Sequence, residues 1–551
     1  MLKPLKVVFG MVLLVLFVGP VSQMLSEAEA FAQTVDTAWV RRYNGPANDF
    51  DVAHAMAVDN LGNVIVTGHS VGSGTSEDYA TIKYDSDGDT LWLRIFNGAG
   101  NTSDQATALA VDDSGCVYVT GGSGSDCVTI KYDPFGDTLW VRKHPSGWPY
   151  AIAVDDSGYV FVAGCSGGDY ITIKYYPSGD TGWVRRYDGP ANDYDDAYAM
   201  TLDASGNIYV TGASRGSGTL EDYATIKYYP NGDTAWVRRY SGSANDDDEA
   251  KAIAVDGSDN VFVTGYSWDG NSYNYVTIKY NPFGDTAWVR TYDGAENDDD
   301  DARAIAVDNS GNAYVTGSSF RSETYGDFTT IKYYSNGDTA WLRRYDGPVS
   351  SEDYAYAMAV DSSNNIYVTG PSYGSGTRED YATVKYDSSG NELWVARYNG
   401  PANANDEPLD IAVDDSNNVY VTGWSAQSLN YPYNYDYATI KYVQTPSGVK
   451  DETGGRERPS EFDLSQNYPN PFNPTTKIEF TLAKSGFVTL QIYDVLGRKV
   501  RTLVSEEVSS GYKSVIWDGK NGAGQDVASG VYFYQLKVGD FSEPKKMLLL
   551  K

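Results

Sequence analysis

Cysteine and histidine are both scarce in this sequence. The 551 residues include three cysteines (Cys116, Cys127, Cys165) and three histidines (His54, His69, His144). So few cysteines cannot form a disulfide-based scaffold. The repeat spacing brings only Cys127 and Cys165 to the same edge of adjacent units, so we expect either one bridge between them or three free thiols.

Positive charge is also in short supply. The chain has 42 lysines and arginines against 74 acidic residues, for a net charge of −32. Nucleic acids and anionic membrane surfaces attract proteins that present a positive field. The composition therefore argues against both as partners and favours cationic or neutral ligands.

Long hydrophobic runs are limited to the N-terminus. The apolar run Val7–Val18 follows Lys3 and Lys6 and is itself followed by Ala28-Glu-Ala30 and Ala32. The run is short for a membrane span, and its flanks are those of a secretory signal peptide. We predict a signal peptide over residues 1–32, an exported protein and no transmembrane helix in the mature chain.

What the sequence has in abundance is one repeated unit, represented by Ala197–Tyr240. Four runs rich in Val, Ile, Tyr, Thr or Trp, each bounded by Gly, Asn, Asp or Ser, predict four antiparallel strands. Asp203 and Gly206 predict a tight turn between the first two strands. The tryptophan of the fourth strand recurs eight times, as Trp39, Trp92, Trp140, Trp183, Trp236, Trp288, Trp341 and Trp394.

The phase of the repeats predicts how the array ends. It begins with an isolated fourth strand, Asp36–Tyr43, and stops after a third strand, Tyr437–Tyr442. These loose ends complete each other if the array closes on itself. The predicted fold class is therefore all-β: a closed eight-bladed β-propeller of four-stranded blades, over residues 33–442, whose N-terminal strand completes the last blade. An open solenoid is the alternative, but neither end has a polar capping unit.

The repeat motifs carry a family resemblance. A-x-A-V-D, G-N-x-Y-V-T-G and D-Y-A-T-I-K-Y resemble the bacterial β-propeller repeats of the SBBP type, and the resemblance covers Asp36 to Tyr442. It implies a propeller of generally uncharacterised function and supplies no catalytic residues to carry over to this sequence. That family is often described as seven-bladed, whereas this sequence supplies eight units.

Residues 443–461 are polar, contain Pro and Gly, and predict a linker. Residues 462–551 alternate short strands with turns, which predicts a small C-terminal immunoglobulin-like β-sandwich. This region is similar to the type A-like C-terminal sorting domains of type IX secretion system cargo in five segments: Asn467–Thr476, Ile492–Arg498, Trp517–Gly519, Ser529–Tyr534 and the terminal Lys545–Lys551. The resemblance implies that residues 462–551 engage the type IX secretion machinery, and that the protein reaches the outer membrane surface or the medium of a Gram-negative bacterium. A resident immunoglobulin-like module is the alternative.

The candidate catalytic motif recurs in several units and is therefore part of the repeat. Gly68-His-Ser-Val-Gly72 matches the G-x-S-x-G nucleophile elbow, but the same loop of other units matches it too, at Gly212–Gly216 and Gly370–Gly374. No histidine has triad partners that spacing identifies. We therefore predict no catalytic residues and no enzyme activity.

Acidic runs precede the first strand of most units, for example Asp246–Glu249 and Asp298–Asp301. Carboxylate clusters of this kind can bind calcium. No copy has a complete calcium-binding loop, so solvent-exposed charge is the simpler interpretation. No cofactor is predicted, and calcium stays an alternative.

Aromatic residues in the loops of units five to eight supply the candidate ligand-binding set. These residues are Tyr266, Trp268, Tyr273, Phe320, Tyr325, Tyr373, Trp424, Tyr431 and Tyr433. Flat rings beside carboxylates and amides suit a glycan or a surface protein, although they can also merely pack the loops. We expect a non-catalytic binding or adhesion module. A polysaccharide-active enzyme (glycoside hydrolase or lyase) with an acidic site on the propeller face and a passive envelope or matrix component are the alternatives.

Overall fold

The computed structural model of the protein describes residues 33–322, 324–429, 434–446, 462–465, 467, 470, 472, 474–484, 486–508, 511–522, 525–539 and 541–550. These residues form strands and turns. No helix in this part of the chain is long and apolar enough to cross a membrane. Two compact units divide the chain, residues 1–447 and 448–551. The predicted signal peptide lies outside the described residues.

In the described part of the first unit, the strands form eight four-stranded antiparallel sheets, which we number 1 to 8 along the chain. The first strands of the sheets are β2 (Asp51–Val58), β6 (Asp104–Val111), β10 (Gly147–Val154), β14 (Asp195–Leu202), β18 (Asp248–Val255), β22 (Asp300–Val307), β26 (Ala357–Val360) and β30 (Asp406–Val413). The second strands are β3 (Val64–Val71), β7 (Val117–Ser123), β11 (Val160–Ser166), β15 (Ile208–Arg215), β19 (Val261–Trp268), β23 (Ala313–Arg321), β27 (Ile366–Tyr373) and β31 (Val419–Ala426).

The third strands are β4 (Glu77–Tyr84), β8 (Asp126–Tyr132), β12 (Asp169–Tyr175), β16 (Glu221–Tyr228), β20 (Tyr273–Tyr280), β24 (Tyr325–Tyr333), β28 (Glu379–Tyr386) and β32 (Tyr435–Pro446). The fourth strands of sheets 1 to 7 are β5 (Thr90–Phe96), β9 (Thr138–His144), β13 (Thr181–Tyr187), β17 (Thr234–Tyr240), β21 (Thr286–Tyr292), β25 (Thr339–Tyr345) and β29 (Glu392–Tyr398). The fourth strand of sheet 8 is β1 (Gln33–Tyr43), which pairs antiparallel with β32, so sheet 8 joins the two ends of the array as predicted.

Local sequence explains the turns. Asp203 Oδ1 accepts hydrogen bonds from the backbone N–H groups of Ser205 and Asn207, both at 2.9 Å. Gly206 adopts φ of 73°, a conformation that costs glycine little. The predicted turn between the first and second strands is confirmed, and its chemistry recurs along the unit.

The core lies between successive sheets. The first strands of neighbouring sheets lie side by side, and β30 lies beside β2 in the same way. Each interface buries Val, Ile and Ala of the first to third strands together with aromatic rings of the adjoining sheet; between sheets 8 and 1 these include Trp39, Tyr420 and Tyr437. Removing this apolar surface from water is the main favourable contribution to stability.

A polar clasp also links each sheet to the next. The indole N–H of the fourth-strand tryptophan donates to a backbone carbonyl in the hairpin between the third and fourth strands of the next sheet. The pairs are Trp39–Ser86, Trp92–Pro134, Trp140–Pro177, Trp183–Pro230, Trp236–Pro282, Trp288–Ser335 and Trp341–Ser388, at 3.1–3.3 Å. An arginine two residues later donates to a glycine carbonyl of the same hairpin, as Arg41 does to Gly88 at 2.5 Å.

The clasp changes where sheet 7 meets sheet 8, because sheet 8 has no hairpin after its third strand. There Trp394 Nε1 donates to the side-chain Oε1 of Gln444, at 3.2 Å. Gln444 Nε2 donates in turn to Tyr367 Oη at 3.0 Å and to the Asn417 carbonyl at 2.6 Å. The clasp arginine is absent too, since Ala396 takes its place. One glutamine side chain thus substitutes for a missing hairpin.

The second unit contains two sheets in its described residues. One has the order β33 (Asp463–Leu464), β34 (Thr476–Leu482), β37 (Gly511–Trp517). The other has the order β36 (Lys499–Val508), β35 (Gly486–Asp494), β38 (Gly530–Val538), β39 (Phe541–Leu549). Alternate residues of β35 and β38 point inward and pack around the fully buried Trp517. The predicted strands are confirmed, and β33 and β39 are additional.

Three expectations need adjustment. The cysteines are free thiols, so the bridge between Cys127 and Cys165 is not formed. Strand β32 continues through residues 443–446 of the predicted linker, and residues 447–461 lie outside the described residues.

The acidic runs are not simply solvent-exposed. In six of them the aspartate that starts or precedes the first strand is 0–1% exposed and accepts a hydrogen bond from the N–H of a glycine six residues earlier: Asp51, Asp195, Asp248, Asp300, Asp353 and Asp406.

The substitution Gln444→Ala should lower the free energy of unfolding of the first unit by about 2–4 kcal/mol, because it removes the partner of the Trp394 N–H donor and of two acceptors, Tyr367 Oη and the Asn417 carbonyl. Gln444→Glu should fall between wild type and Ala, since it keeps the acceptor for Trp394 but loses the donors. Equilibrium denaturation followed by tryptophan fluorescence measures both. An Ala variant as stable as wild type would contradict the assignment.

Candidate binding face

One end of the sheets carries two kinds of loop. The hairpins between second and third strands lie beside the connections that enter the first strands, and backbone hydrogen bonds join them, such as Trp268 N–H to the Asp247 carbonyl at 3.0 Å and Phe320 N–H to the Asp299 carbonyl at 3.2 Å. We call this end the loop face. The predicted aromatic residues that the structure describes all lie on it.

In sheet 5 three predicted aromatic residues pack together. The ring of Tyr273 meets Tyr266 and Trp268 edge to face, with centroids 5.0 and 4.9 Å apart. All three rings stay partly exposed. Edge-to-face packing is a favourable aromatic geometry, so these rings stabilise their own hairpin and still present surface to solvent.

A second aromatic group joins sheets 8 and 1. Trp424 and Tyr435 have ring centroids 4.3 Å apart, and Phe50 lies 5.0 Å from Tyr435. A cavity of about 270 Å³ beside them is lined by Arg378, Ala404, Asn405, Ala426, Ser428 and Tyr435. Sequence reasoning did not select Phe50, which the structure brings to this group from sheet 1.

The remaining predicted residues do not join either group. Phe320 lies with Tyr354 over Gly326, Tyr325 is 54% exposed, and Tyr373 pairs with Glu379 across its hairpin. Tyr431 and Tyr433 lie outside the described residues. The seven described members therefore occupy separate positions around the loop face instead of one patch.

A third set of side chains lies nearer the first strands. In most sheets a bulge in the first strand leaves one residue without a partner on the second strand, as between Ala53 and Ala55. Bulges of this kind re-aim a side chain. The residue at this position differs from sheet to sheet: His54, Thr107, Tyr150, Tyr198, Lys251, Arg303, Tyr356 and Leu409.

Two cations of this set are held against tyrosine rings. Lys251 Nζ lies 4.4 Å from the ring centroid of Tyr198 and 5.1 Å from that of Tyr266, and it forms an ion pair with Glu249. Arg303 lies 4.9 Å from the ring centroid of Tyr356 and 2.8 Å from Asp301. Cation–π contacts of this kind fix a charged head where it can meet a ligand. We call Tyr198, Lys251, Tyr266, Arg303 and Tyr356, with the neighbouring carboxylates Glu221, Glu249, Asp301, Glu379 and Glu407, the inner cluster.

The carboxyl groups of the inner cluster have shifted affinities for protons. Burial and the neighbouring Glu249 raise the pKa of Glu221 to about 7. Burial and Glu379 likewise raise the pKa of Glu407 to about 7. Burial also acts on Glu249, but the charge of Lys251 and hydrogen bonds from Lys251, Tyr266 and Glu221 together lower the pKa of Glu249. The cluster therefore offers ionised and readily protonated carboxyl groups side by side.

Comparison with known proteins agrees with the fold. The family model described as a β-propeller repeat (SBBP) matches residues 235–274, 290–319, 347–376 and 394–429. The FlgD Ig-like domain model matches residues 468–540. The chain carries β-propeller repeats and an Ig-like domain.

No curated protein matches the chain. Solved structures similar to it include the Dos1 propeller (TM-score 0.49, 10% identity, covering 74% of this chain and 95% of that one). The C-terminal WD40 domain of Sif2 has a TM-score of 0.47 and 10% identity over 75% of this chain and 99% of its own. Sqt1 from Chaetomium thermophilum has a TM-score of 0.47 and 10% identity, over 76% and 100%.

Oxygen-rich groups that could hold a metal ion occur twice among the described residues of the propeller repeats. They are Asp169, Asp188, Asp195 and Asp327, Asp346, Asp353. An arginine lies 3.4 Å from one aspartate of each group, Arg186 and Arg344. These guanidinium groups offset part of the negative charge, and calcium stays an alternative.

Of the inner cluster, only Tyr266 was predicted from the sequence as a ligand-binding residue, while Glu249 and Asp301 were noted in the acidic runs. Lys251 and Arg303 were missed, although a signal for them exists. The motif A-x-A-V-D is nearly constant across the propeller repeats, whereas the bulge residue immediately before its first alanine ranges from Thr107 to Lys251 and Arg303. Where the residue varies inside an otherwise uniform repeat, packing between sheets does not determine which residue stands at that position.

Glu407→Gln should change the pH dependence of stability. The pKa of Glu407 rises from 4.5 to about 7 on folding, so the folded chain binds more protons than the unfolded chain between these values, and this residue makes the free energy of unfolding fall as the pH rises through that range. The glutamine variant should be more stable than wild type by about 1–3 kcal/mol at pH 8 and nearly equal at pH 4.5. Urea denaturation at both pH values measures this. Glu392→Gln, at an exposed position, is the matched control.

Proposed function

We propose that the first unit is a closed eight-bladed β-propeller. Three contacts between sheets 8 and 1 support closure because they repeat those between other neighbours. Trp39 and Arg41 clasp the hairpin of sheet 1. Tyr437 Oη donates to the Ala80 carbonyl at 3.0 Å, as Tyr223 Oη does to Val276 at 3.2 Å. The substitution of a clasp arginine by Ala396, where no hairpin follows, fits the same arrangement.

We further propose that this propeller is a non-catalytic binding or adhesion module. The observation that carries the proposal is the concentration of non-repeating charged and aromatic residues at the loop face. The inner cluster combines donors, acceptors and tyrosine rings, and Trp268 and Trp424 add partly exposed rings farther out. Rings next to paired charges suit the apolar faces and hydroxyl groups of a glycan, and equally the side chains of a surface protein.

A polysaccharide-active enzyme is the second candidate. Glu221 and Glu407 favour it, because carboxyl groups with a pKa of about 7 are suited to general acid catalysis near neutral pH. Turnover of a polysaccharide that Glu221→Gln or Glu407→Gln abolishes would support this candidate over simple binding. A passive envelope or matrix component would bind no ligand saturably.

We propose that the second unit directs export through the type IX secretion machinery to the cell surface or the medium of a Gram-negative bacterium. The residues of the sorting-domain motifs support this by meeting in one folded unit. Asn467 N–H donates to Tyr534 Oη at 2.7 Å, and Phe472 packs 5.6 Å from Trp517. Phe472 also exchanges backbone hydrogen bonds with Leu548 and Leu550 of the terminal segment.

A glycan panel tests the binding role. The chain without residues 1–32, with calcium present, should bind at least one glycan saturably, and Trp268→Ala and Trp424→Ala should each weaken binding about tenfold or more. Phe135→Ala and Phe283→Ala are matched controls, because these rings are 79% and 77% exposed in hairpins at the opposite end of the sheets. Equal losses in the controls, or binding unaffected by either tryptophan, would reject the predicted site.

Truncation tests the export role. In a Gram-negative host with type IX secretion, a chain ending at Ser447 should stay in the periplasm, while the full chain reaches the surface and becomes accessible to added protease. A reporter fused to residues 462–551 should also be exported. Surface exposure of the truncated chain would refute the assignment without affecting the binding role.

A further inference from the structure

Two of the three histidines meet in sheet 1. His54 is the bulge residue of β2, and His69 lies on the neighbouring strand β3. His54 Nε2 is 3.0 Å from His69 Nδ1, and the ring centroids are 5.1 Å apart. His69 is 8% exposed, and His54 keeps a partly exposed edge on the side of the inner cluster positions. Two imidazole nitrogens thus face each other within the largely buried pair.

Both rings are in the form that binds metals. Burial, with a smaller contribution from the neighbouring His69, lowers the pKa of His54 to about 4. Burial lowers the pKa of His69 as well. Both imidazoles are therefore neutral at pH 7, and at most one proton lies between the two facing nitrogens. A metal ion can replace that proton and accept a lone pair from each ring.

A carboxylate stands behind the pair. Glu77 Oε1 lies 3.9 Å from His69 Nε2, the nitrogen that points away from His54. Glu77 Oε2 is itself held by hydrogen bonds from Ser103 Oγ and from Gln105 Nε2, the latter at 2.6 Å. Metal-bound histidines usually direct their second ring nitrogen to such a carboxylate, which fixes the ring and strengthens the ligand.

We propose that His54 Nε2 and His69 Nδ1 form a binding site for a divalent first-row transition metal ion, with Glu77 as its outer-sphere partner. With metal–nitrogen bonds of about 2.0–2.1 Å, nitrogens 3.0 Å apart subtend about 90–95° at the ion. This angle suits tetragonal Cu²⁺ or octahedral Ni²⁺ better than tetrahedral Zn²⁺, and Cu²⁺ binds most tightly in the general order of affinities. Two protein ligands leave the remaining positions to water. The site is independent of the proposed glycan or protein ligand.

The type of ligand atom distinguishes this site from the two groups of three aspartates on the propeller repeats. Imidazole nitrogens select transition metals over calcium and magnesium, which prefer oxygen. In the other sheets neither of the two equivalent positions is a histidine; sheet 4, for example, has Tyr198 and Ala213 there. One site per chain is therefore expected.

Titration of the chain without residues 1–32 with Cu²⁺ tests the proposal, using calorimetry and electron paramagnetic resonance. We expect one equivalent bound with two coordinated nitrogens in the hyperfine pattern, and a loss of affinity of at least tenfold in His54→Gln and in His69→Gln. Glu77→Gln should weaken binding about tenfold without abolishing it. His144→Gln, at the third histidine, should match wild type, and Ca²⁺ should not compete.

The proposal would be overturned if Cu²⁺ binding survived in both His54→Gln and His69→Gln, as it would if the ion bound at the amino terminus. Loss of binding in His144→Gln would overturn it as well. No bound equivalent at 100 µM Cu²⁺ would also overturn it, leaving a hydrogen-bonded histidine pair. If a variant fails to fold, the electron paramagnetic resonance spectrum of the unsubstituted chain with Cu²⁺ still tests the proposal. A spectrum that shows no coordinated imidazole nitrogen would exclude the site.

Discussion

The clasp between neighbouring sheets is the constraint on which the first unit depends. An indole N–H and a guanidinium converge on carbonyls of a single hairpin, and the hairpin glycine must allow them to approach. At Gly88, φ is 84° and an added Cβ would lie 2.8 Å from Cδ2 of Trp39. Only glycine satisfies both the left-handed backbone and the close approach of the ring. Repetition of this contact sets the spacing of the sheets.

Once the sheets are spaced by packing and clasp, the loop face is free to vary. Residues that face a neighbouring sheet are nearly the same in every repeat because each fills the same volume. The bulge position has no cross-strand partner and no fixed volume, so it accepts His54, Lys251 or Arg303 equally well. This explains why the charged and aromatic residues that can recognise a ligand gather there instead of in the repeat motifs.

Regularity also explains the exceptions. Gln444 and Ala396 depart from the repeat at the interface where the hairpin is missing: Gln444 supplies the acceptor for Trp394, and Ala396 removes an arginine that would have no hairpin carbonyl to bind. Asp410 stands where seven sheets have alanine, and its Oδ2 accepts the Met56 N–H at 2.8 Å across the junction of sheets 8 and 1. These residues depart from the repeat around sheet 8, which is the sheet assembled from strands at both ends of the array, with no hairpin joining β32 to β1.

Strand order, turn chemistry and the pairing of the N-terminal strand with the last sheet were predictable because they rest on short-range signals: alternation, turn residues and repeat phase. The acidic runs were predicted to precede the first strands, whereas Asp248 begins one, because its buried contact with the Gly242 N–H cannot be recognised from the sequence. The aromatic residues were located on the correct face but not grouped correctly, because Phe50 and Tyr435 are distant in sequence.

The sequence by itself determined the repeat, its four strands, its turns and the way its two ends match, because each of these depends on residues close together in the chain. Only the tertiary structure decided which side chains meet across sheets. The contacts of His54 with His69, of Lys251 with Tyr198 and of Gln444 with Trp394 depend on strand register, on a bulge that shifts it and on packing between repeats. No local pattern encodes those distances, because they arise from the sum of many interactions along the array.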